Sequence, residues 1–216
     1  MSENLSASEL QRVFGLARRR RYPAGEAIMH EGDPADSVHV IVKGRVASLV
    51  NSRLGQHLTF SIMGEGELFG ELALLSTEGQ RSATIRALEA TETLRVGRED
   101  FQRLRLQTPE VSEILIQLLV RRVLRLSQHL REALHVPVEA RICRRLLELA
   151  ALYGSSAPGT VIPLSQDDLA GLTGAARATV NRVLREEERR GVVALRRRRV
   201  TIVDPGGLRR RAQIDY

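Results

Sequence analysis

Cysteine is nearly absent from this sequence, since Cys143 is the only one among 216 residues. A single cysteine cannot form a disulfide within the chain, and zinc or iron-sulfur sites need several thiolate ligands. The five histidines show no paired spacing that would suggest a haem ligand. We therefore expect Cys143 to be a small core thiol and the protein to hold no metal, haem or iron-sulfur cluster.

Long apolar runs are missing as well. No stretch of the sequence approaches the roughly 18 apolar residues that a membrane-spanning helix needs. The opening residues, MSENLSASEL, lack the charged and then apolar pattern of a signal peptide. We therefore expect a cytoplasmic protein with no membrane partner, and the length favours two modest domains.

Lysine is scarce, because Lys43 is the only one and every other basic residue is arginine. The net charge of +7 is also uneven: residues 138–216 hold 15 arginines and 9 acidic residues, whereas residues 1–137 hold 18 basic and 17 acidic residues. A basic segment behind a nearly neutral one favours contact with a polyanion, since neutralising phosphates releases condensed counterions.

Short β-branched runs separated by glycines occupy the stretch from Tyr22 to Val96, a pattern typical of a small antiparallel β-roll. Within it, valines alternate over residues 38–42, and a Lys-Gly pair ending at Gly44 precedes a second run from Val46. This spacing predicts a β-hairpin.

A long helical pattern follows Pro109, with apolar residues at alternating steps of four and three. Such a stripe is either the seam of a parallel dimer or a face buried against its own domain, and we favour the dimer. Pro137 breaks the pattern, because proline disfavours helix at the residue before it. The predicted seam consists of Leu119, Val123, Leu126, Leu130 and Ala133.

Residues 164–188 carry the strongest motif. Ser165 can cap a helix together with Asp168, and Gly174 supplies a tight turn before a second helix. In a helix-turn-helix the second helix enters the major groove, where arginine pairs with guanine and asparagine with adenine. The alternative is an ordinary helical hairpin with a solvated basic face. The DNA contacts that we predict here are Ser165, Arg177, Thr179, Asn181 and Arg182.

Two apolar runs, 192–195 and 200–203, flank four consecutive arginines and predict a wing hairpin with a cationic tip. Arg198 at this tip is a predicted phosphate contact, although a merely solvated charged turn is the alternative. We expect the basic run at 209–211 to be a disordered end. The sequence thus predicts an α+β protein: an N-terminal antiparallel β-roll (1–109), a long dimerisation helix (110–136) and a C-terminal winged helix-turn-helix (137–216).

A second constellation lies in the roll, in the segments FGELALL and RSAT. Arg81 offers a fork of donors for an anionic phosphate, and Ser82 offers a hydroxyl donor. Gly70 leaves room for close backbone approach, and Glu71 can accept from a ribose hydroxyl. A structural ion pair between Glu71 and Arg81 is the alternative.

These segments, the long helix and the winged helix-turn-helix resemble the cyclic AMP receptor protein / fumarate and nitrate reductase regulator (CRP/FNR) family over about residues 20–204. The resemblance implies a cyclic nucleotide in the roll against the dimer helix, with binding reorienting the DNA-binding domains. The residues that match the family's phosphate-ribose cassette are Gly70, Glu71, Leu72, Arg81 and Ser82.

The match is incomplete at two places. The family's cyclic AMP responders resemble one another in a Thr-Ser pair that contacts adenine, whereas this chain has Leu126 and Ser127. We keep Ser127 as a nucleotide contact, while the loss of the threonine hydroxyl puts the nucleotide's identity in question. Ala178 replaces a glutamate that accepts from cytosine, so the operator should differ at that base.

The sequence therefore predicts a homodimeric transcription regulator, not an enzyme, that binds a near-palindromic site on double-stranded DNA and is switched by cyclic AMP. The main alternative is the same regulator acting without cyclic AMP, through another nucleotide or no ligand. A cyclic-nucleotide-binding adaptor that meets protein instead of DNA is a third. RNA polymerase is a further candidate partner, although the loop at 154–159 has no charged residue with which to contact it.

Overall fold

A computed structural model describes residues 15–51, 57–154 and 157–213 of the chain. Two compact units are separated after Leu124, and each is described by itself. The strands are β1 (Arg18–Tyr22), β2 (Ala27–Met29), β3 (Ser37–Lys43), β4 (Val46–Asn51), β5 (His57–Met63), β6 (Leu68–Phe69), β7 (Thr84–Ala87), β8 (Thr91–Gly97), β9 (Val161–Ile162), β10 (Val193–Arg196) and β11 (Arg199–Ile202). The helices are α1 (Glu71–Leu75), α2 (Arg98–Gln107), α3 (Pro109–His135), α4 (Val138–Leu152), α5 (Gln166–Thr173), α6 (Arg177–Arg189) and α7 (Pro205–Arg211).

The first unit is the predicted antiparallel β-roll. Its two four-stranded sheets have the strand orders β1-β8-β3-β6 and β2-β7-β4-β5. One core cluster joins Val38 and Val96 of the first sheet to Phe101 of α2 and Leu115 of α3. Burying each such side chain contributes roughly 1.5–3 kcal/mol, so this cluster fixes the start of α3 against the roll. A second cluster consists of Met29, Ile41, Val46, Met63, Phe69 and Ile85.

The hairpin predicted around Gly44 is wrong. Strand β3 pairs with β6 and β8, whereas β4 pairs with β5 and β7, so the two strands lie in different sheets. Gly44 has φ +88°, and a Cβ there would lie 2.8 Å from the carbonyl oxygen of Ala90 and 2.8 Å from Oγ1 of Thr91. The glycine therefore carries the chain from one sheet to the other in a space that no side chain could share.

Helix α3 begins and ends one residue earlier than the predicted 110–136, and its last residue, His135, lies two positions before Pro137. Leu115 is buried on its inner side, but much of its apolar stripe is exposed. The alternative in which this stripe is buried against its own domain therefore does not hold. The large exposed apolar residues of α3 are Ile116, Val120, Val123, Leu124, Leu126, Leu130 and Leu134.

No helix among the described residues is both long and apolar enough to cross a membrane.

The second unit contains the predicted winged helix-turn-helix. Ser165 caps α5 in a reciprocal capping box with Asp168, and Gly174 ends the helix at φ +61°. Val180, Val183 and Leu184 on the inner face of α6 are buried. Strands β10 and β11 form the wing, and β9 adds a third strand that the sequence did not reveal.

The C-terminal basic run is not a disordered end, as the sequence suggested, but part of α7. Leu208 of this helix is fully buried, which explains why the segment folds despite its three arginines. Nε of Arg211 donates to Oε1 of the buried Glu187 on α6 at 2.9 Å. Helix α7 therefore supports the inner face of α6.

The end of α3 and the start of α4 are joined by a buried ionic cluster. Arg145 of α4 binds the carboxylate of Glu132 on α3, and both side chains are nearly inaccessible to water. Arg144 reaches the same carboxylate at 3.2 Å, and Arg141 donates to the carbonyl oxygen of Ala133 at 2.8 Å. Breaking a buried pair on one side costs several kcal/mol, so these contacts fix the angle between the two helices.

Candidate effector site and nucleic-acid interface

Gly70 stands at the turn between β6 and α1, with φ +87°. A Cβ at this position would lie 2.7 Å from Nη1 of Arg81 and 3.0 Å from the carbonyl oxygen of Ser37. The missing side chain lets Nη1 of Arg81 donate to the carbonyl oxygen of Gly70 at 2.9 Å. Two segments of the predicted cassette, eleven residues apart, thus meet directly.

Glu71 begins α1 and is completely buried. Its Oε1 atom pairs with Arg122 of α3, whose Nη2 atom also donates to the carbonyl oxygen of Leu68 at 2.5 Å. Its Oε2 atom is buried with no hydrogen-bond partner among the described residues. Burial raises the pKa of Glu71, and the positive charge of Arg122 opposes that rise. Glu71 therefore has one oxygen that can still accept a hydrogen bond, beside the cation of Arg122.

Arg81 is buried and does not pair with Glu71, so the structural ion pair weighed above is not the arrangement found. Its Nη2 atom donates instead to Oδ1 of Asp36 at 2.8 Å. Asp36 also accepts from Arg95 at 2.6 Å. Burial alone would raise the pKa of Asp36, but the hydrogen bond from Ser37 and the contacts with Arg95 and Arg81 outweigh it and hold the pKa at about 2. Asp36 is thus a fixed anion beside the predicted phosphate ligand.

The remaining cassette residues, Leu72 and Ser82, are neighbours of this group in the chain. Leu72 is the second residue of α1, Ser82 follows Arg81, and both side chains are exposed. Ser127 is exposed on α3, within the second unit. The sequence analysis missed Arg122 and Asp36. Each lies about 50 residues from its partner in the chain, so no local pattern links Arg122 to Glu71 or Asp36 to Arg81.

The exposed face of α6 presents the predicted DNA contacts, and three of them are already paired with side chains of other helices. Arg177 lies 3.4 Å from Asp167, and Nε2 of Gln166 donates to Oδ1 of Asn181 at 3.1 Å. Arg182 pairs with a residue of α4, considered below. Thr179 is half-buried on the same helix, and the hydroxyl of Ser165 is engaged in the capping box.

The wing tip is a two-residue turn between Arg196 and Arg199, and all four of its arginines are exposed. Arg198 has φ +53°, a left-handed conformation that favours glycine. Holding a non-glycine residue there costs on the order of 1 kcal/mol, so glycine would give a more stable turn than arginine at this position. A cation projecting from the tip suits contact with a phosphate.

No group of three or more histidine, cysteine, aspartate or glutamate side chains within the described ranges is placed to hold a metal ion. The described residues offer a buried arginine, Arg81, a buried acceptor, Glu71, and an exposed helical face with several arginines on α6.

Two families match this chain. Residues 19–108 match the cyclic nucleotide-binding domain, and residues 140–211 match the Crp-like helix-turn-helix domain. The chain is 34% identical to the cyclic AMP receptor protein of Thermus thermophilus, over 88% of this chain and 86% of that protein. It is 30% identical to the CRP-like cAMP-activated global transcriptional regulator of Mycobacterium tuberculosis, over 89% of this chain and 87% of that protein.

Solved structures are similar over nearly the whole chain. The c-di-GMP responsive global regulator CLP of Xanthomonas campestris has a TM-score of 0.78 and 26% identity, over 92% of this chain and 99% of that one. The catabolite activator protein of Thermus thermophilus has a TM-score of 0.56 and 32% identity, over 97% of this chain and 96% of that one.

We predict that Arg198→Gly weakens DNA binding without lowering the free energy of unfolding. Glycine relieves the left-handed strain, while one phosphate contact is lost, so the slope of log affinity against log salt should become shallower by about 0.9. Fluorescence anisotropy with a labelled duplex and denaturant unfolding measure the two effects. Arg197→Gly is the matched control: it removes the same charge outside the left-handed region and should lower stability by roughly 0.5–1 kcal/mol. An unchanged salt slope for Arg198→Gly would contradict the phosphate contact.

Proposed function

We propose a function from one premise: this chain belongs to the CRP/FNR family of transcription regulators. It is a DNA-binding regulator with a cyclic nucleotide-binding domain, in a family of regulators that are not enzymes. Beyond this, we propose that it acts as a homodimer on a near-palindromic operator and that cyclic AMP in the roll switches it.

The buried acceptor at Glu71 carries the effector proposal. Oε2 of Glu71 is removed from water and has no hydrogen-bond partner among the described residues. Leaving such a group unsatisfied costs about 1–3 kcal/mol, and a ribose 2′-hydroxyl is a donor that would satisfy it. Arg81 donates to the carbonyl oxygen of Gly70, the residue before Glu71, and would bind the cyclic phosphate, with Ser82 next to it in the chain. Ser127 as a contact to the base rests on the family resemblance.

A phosphate that binds Arg81 must either share its guanidinium with the carboxylate of Asp36 or replace that carboxylate. One hydrogen bond from Nη2 of Arg81 is now directed at Asp36, and one from Nη1 at the Gly70 carbonyl. A guanidinium has five donors, so a phosphate can join without displacing the Gly70 contact. Asp36 therefore lowers the affinity of the site for anions and keeps Arg81 in place before ligand arrives.

The alternative effector is another nucleotide, such as a cyclic dinucleotide, or none. Leu126 stands where cyclic AMP responders have a threonine, and one lost hydrogen bond to a base edge is worth about tenfold to a hundredfold in affinity or base choice. Leu126 is also part of the exposed stripe on α3, where it would favour a dimer without ligand. A similar structure is that of a regulator described as responsive to c-di-GMP.

The dimer proposal rests on the outer face of α3. Ile116, Leu119, Val120, Val123 and Leu124 line an apolar groove there, and the apolar stripe continues to Leu134. A contiguous apolar face of this length on a single helix is unfavourable in water and fits a second copy of the same helix. Two copies related by a twofold axis would present two recognition helices to two half-sites.

We predict that the wild-type protein binds cyclic AMP about tenfold to a hundredfold more tightly than 2′-deoxy cyclic AMP, because only the former has the hydroxyl that Glu71 would accept. Isothermal titration calorimetry measures both affinities. Glu71→Leu should abolish this preference, whereas Glu78→Leu, the same change at an exposed glutamate, should retain it. Equal affinities in the wild type would refute the role of Glu71. No heat with cyclic AMP at high concentration would favour the alternative effector.

We predict that Val123→Glu dissociates the dimer. A charge buried in the apolar interface costs several kcal/mol, which should raise the dimer dissociation constant at least about a hundredfold. Sedimentation velocity measures the change, and binding to a palindromic duplex should weaken with it. Arg121→Glu introduces the same group at an exposed position outside the groove and should leave the dimer intact. A dimeric Val123→Glu protein would contradict this interface.

A further inference from the structure

Arg182 is held by a residue from outside the helix-turn-helix. Its Nη2 atom donates to Oε1 of Glu139 at 2.8 Å. Glu139 lies in the first turn of α4, 43 residues earlier in the chain. The side chain of Arg182 is 63% exposed and that of Glu139 is 37% exposed, so the pair lies at the surface. The hydrogen bond from Arg182 is the largest influence on the pKa of Glu139 and lowers it, so the carboxylate stays ionised near neutral pH.

A carboxylate on a DNA-binding face is costly, because it repels the phosphates that the surrounding arginines attract. If α6 reads DNA, Arg182 needs no carboxylate to neutralise its charge, because the DNA itself is anionic. Glu139 is also not required for folding in the way that a buried acid is, since more than a third of its side chain is in water. The pair therefore needs an explanation in terms of what Arg182 does on DNA.

An unrestrained arginine on a recognition helix can reach two kinds of target. It can bind a guanine edge with two donors, which reads sequence, or it can turn to a phosphate, which is present on every duplex. The hydrogen bond to Glu139 occupies Nη2 and leaves the other donors of the guanidinium available. The hydrogen bond restrains the rotation of the side chain, and Arg182 would have to break it to turn away from Glu139.

We propose that Glu139 is a specificity-determining residue that restrains Arg182 and weakens binding to non-cognate DNA more than binding to the operator. This rests on the proposed function, in which α6 reads the major groove. Glu139 acts through Arg182 and is a positioning residue in that sense. Its removal should increase affinity and reduce discrimination together.

The test compares Glu139→Gln with the wild type on two duplexes: one selected by the wild-type protein from a randomised library, and a scrambled duplex of the same composition. Exposed ion pairs are worth up to about 1 kcal/mol, which is about fivefold in affinity. Glu139→Gln should therefore bind the scrambled duplex about threefold to fivefold more tightly and the selected duplex less than about twofold more tightly. The salt slope on the scrambled duplex should steepen by about 0.9, because Arg182 gains a phosphate.

Glu186→Gln is the matched control. It removes one carboxylate from the same unit, but Glu186 pairs with Arg189 and Arg190 at the far end of α6. The control should shift both duplexes equally. In an Arg182→Ala background, Glu139→Gln should also shift both duplexes equally, because the residue through which it acts is gone.

Equal shifts of both duplexes by Glu139→Gln in the wild-type background would overturn the inference, as would unequal shifts that persist without Arg182. These results leave the proposed function standing. A wild-type protein that selects no sequence from the library, or whose affinity does not fall with salt, would overturn the proposed function and the inference with it.

Discussion

Removing a carboxylate from water disfavours its charged form, and for Glu71 the positive charge that opposes this effect is that of Arg122. This contact links α1, which begins at the proposed effector site, to α3, which carries the apolar groove. The same guanidinium binds the carbonyl oxygen of Leu68 in β6, so three elements of the first unit meet at one cation. A ligand that adds a donor to the second oxygen of Glu71 would change the balance of this pair, and α3 is the element that would respond.

The DNA-binding unit depends on a different set of contacts, which hold the recognition helix from several sides. Its inner face packs into the core, Arg211 of α7 supports it through Glu187, and side chains of α4 and α5 hold its exposed polar residues. These contacts order the side chains before DNA arrives, so less entropy is lost on binding, although the carboxylate of Glu139 also repels the phosphates of DNA. At the wing tip, by contrast, Arg198 has a strained left-handed backbone, so a cation stands there at some cost in stability.

Much of this fold could be predicted because its signals are local. The capping box of Ser165 and Asp168, the glycine at 174 and the proline at 137 each act on their immediate neighbours, and the structure confirms all three. The hairpin at Gly44 was wrong because alternation of apolar residues shows that a strand exists but not which sheet it joins. The helix α7 was missed because its burial rests mainly on Leu208, which three arginines follow in the sequence.

The candidate site divides in the same way. The sequence assigned Gly70 and Arg81 to one phosphate-binding cassette, and in the structure the two lie in contact, while their role toward a ligand stays a prediction. The partners of Glu71 and Arg81 are Arg122 and Asp36, which are distant in sequence and are selected only by the tertiary fold. The preference for cyclic AMP and the role of Ser127 depend on a bound ligand and remain predictions.

The central claim is that a cyclic nucleotide controls DNA binding by this protein. The most direct measurement is the affinity of the purified protein for a duplex selected from a randomised library, determined by fluorescence anisotropy with and without saturating cyclic AMP. Coupling between two sites of this kind is worth about fivefold to 150-fold, so the account predicts that cyclic AMP tightens binding by at least about fivefold. An affinity that is the same with and without cyclic AMP, in a protein shown by calorimetry to bind it, would contradict the account.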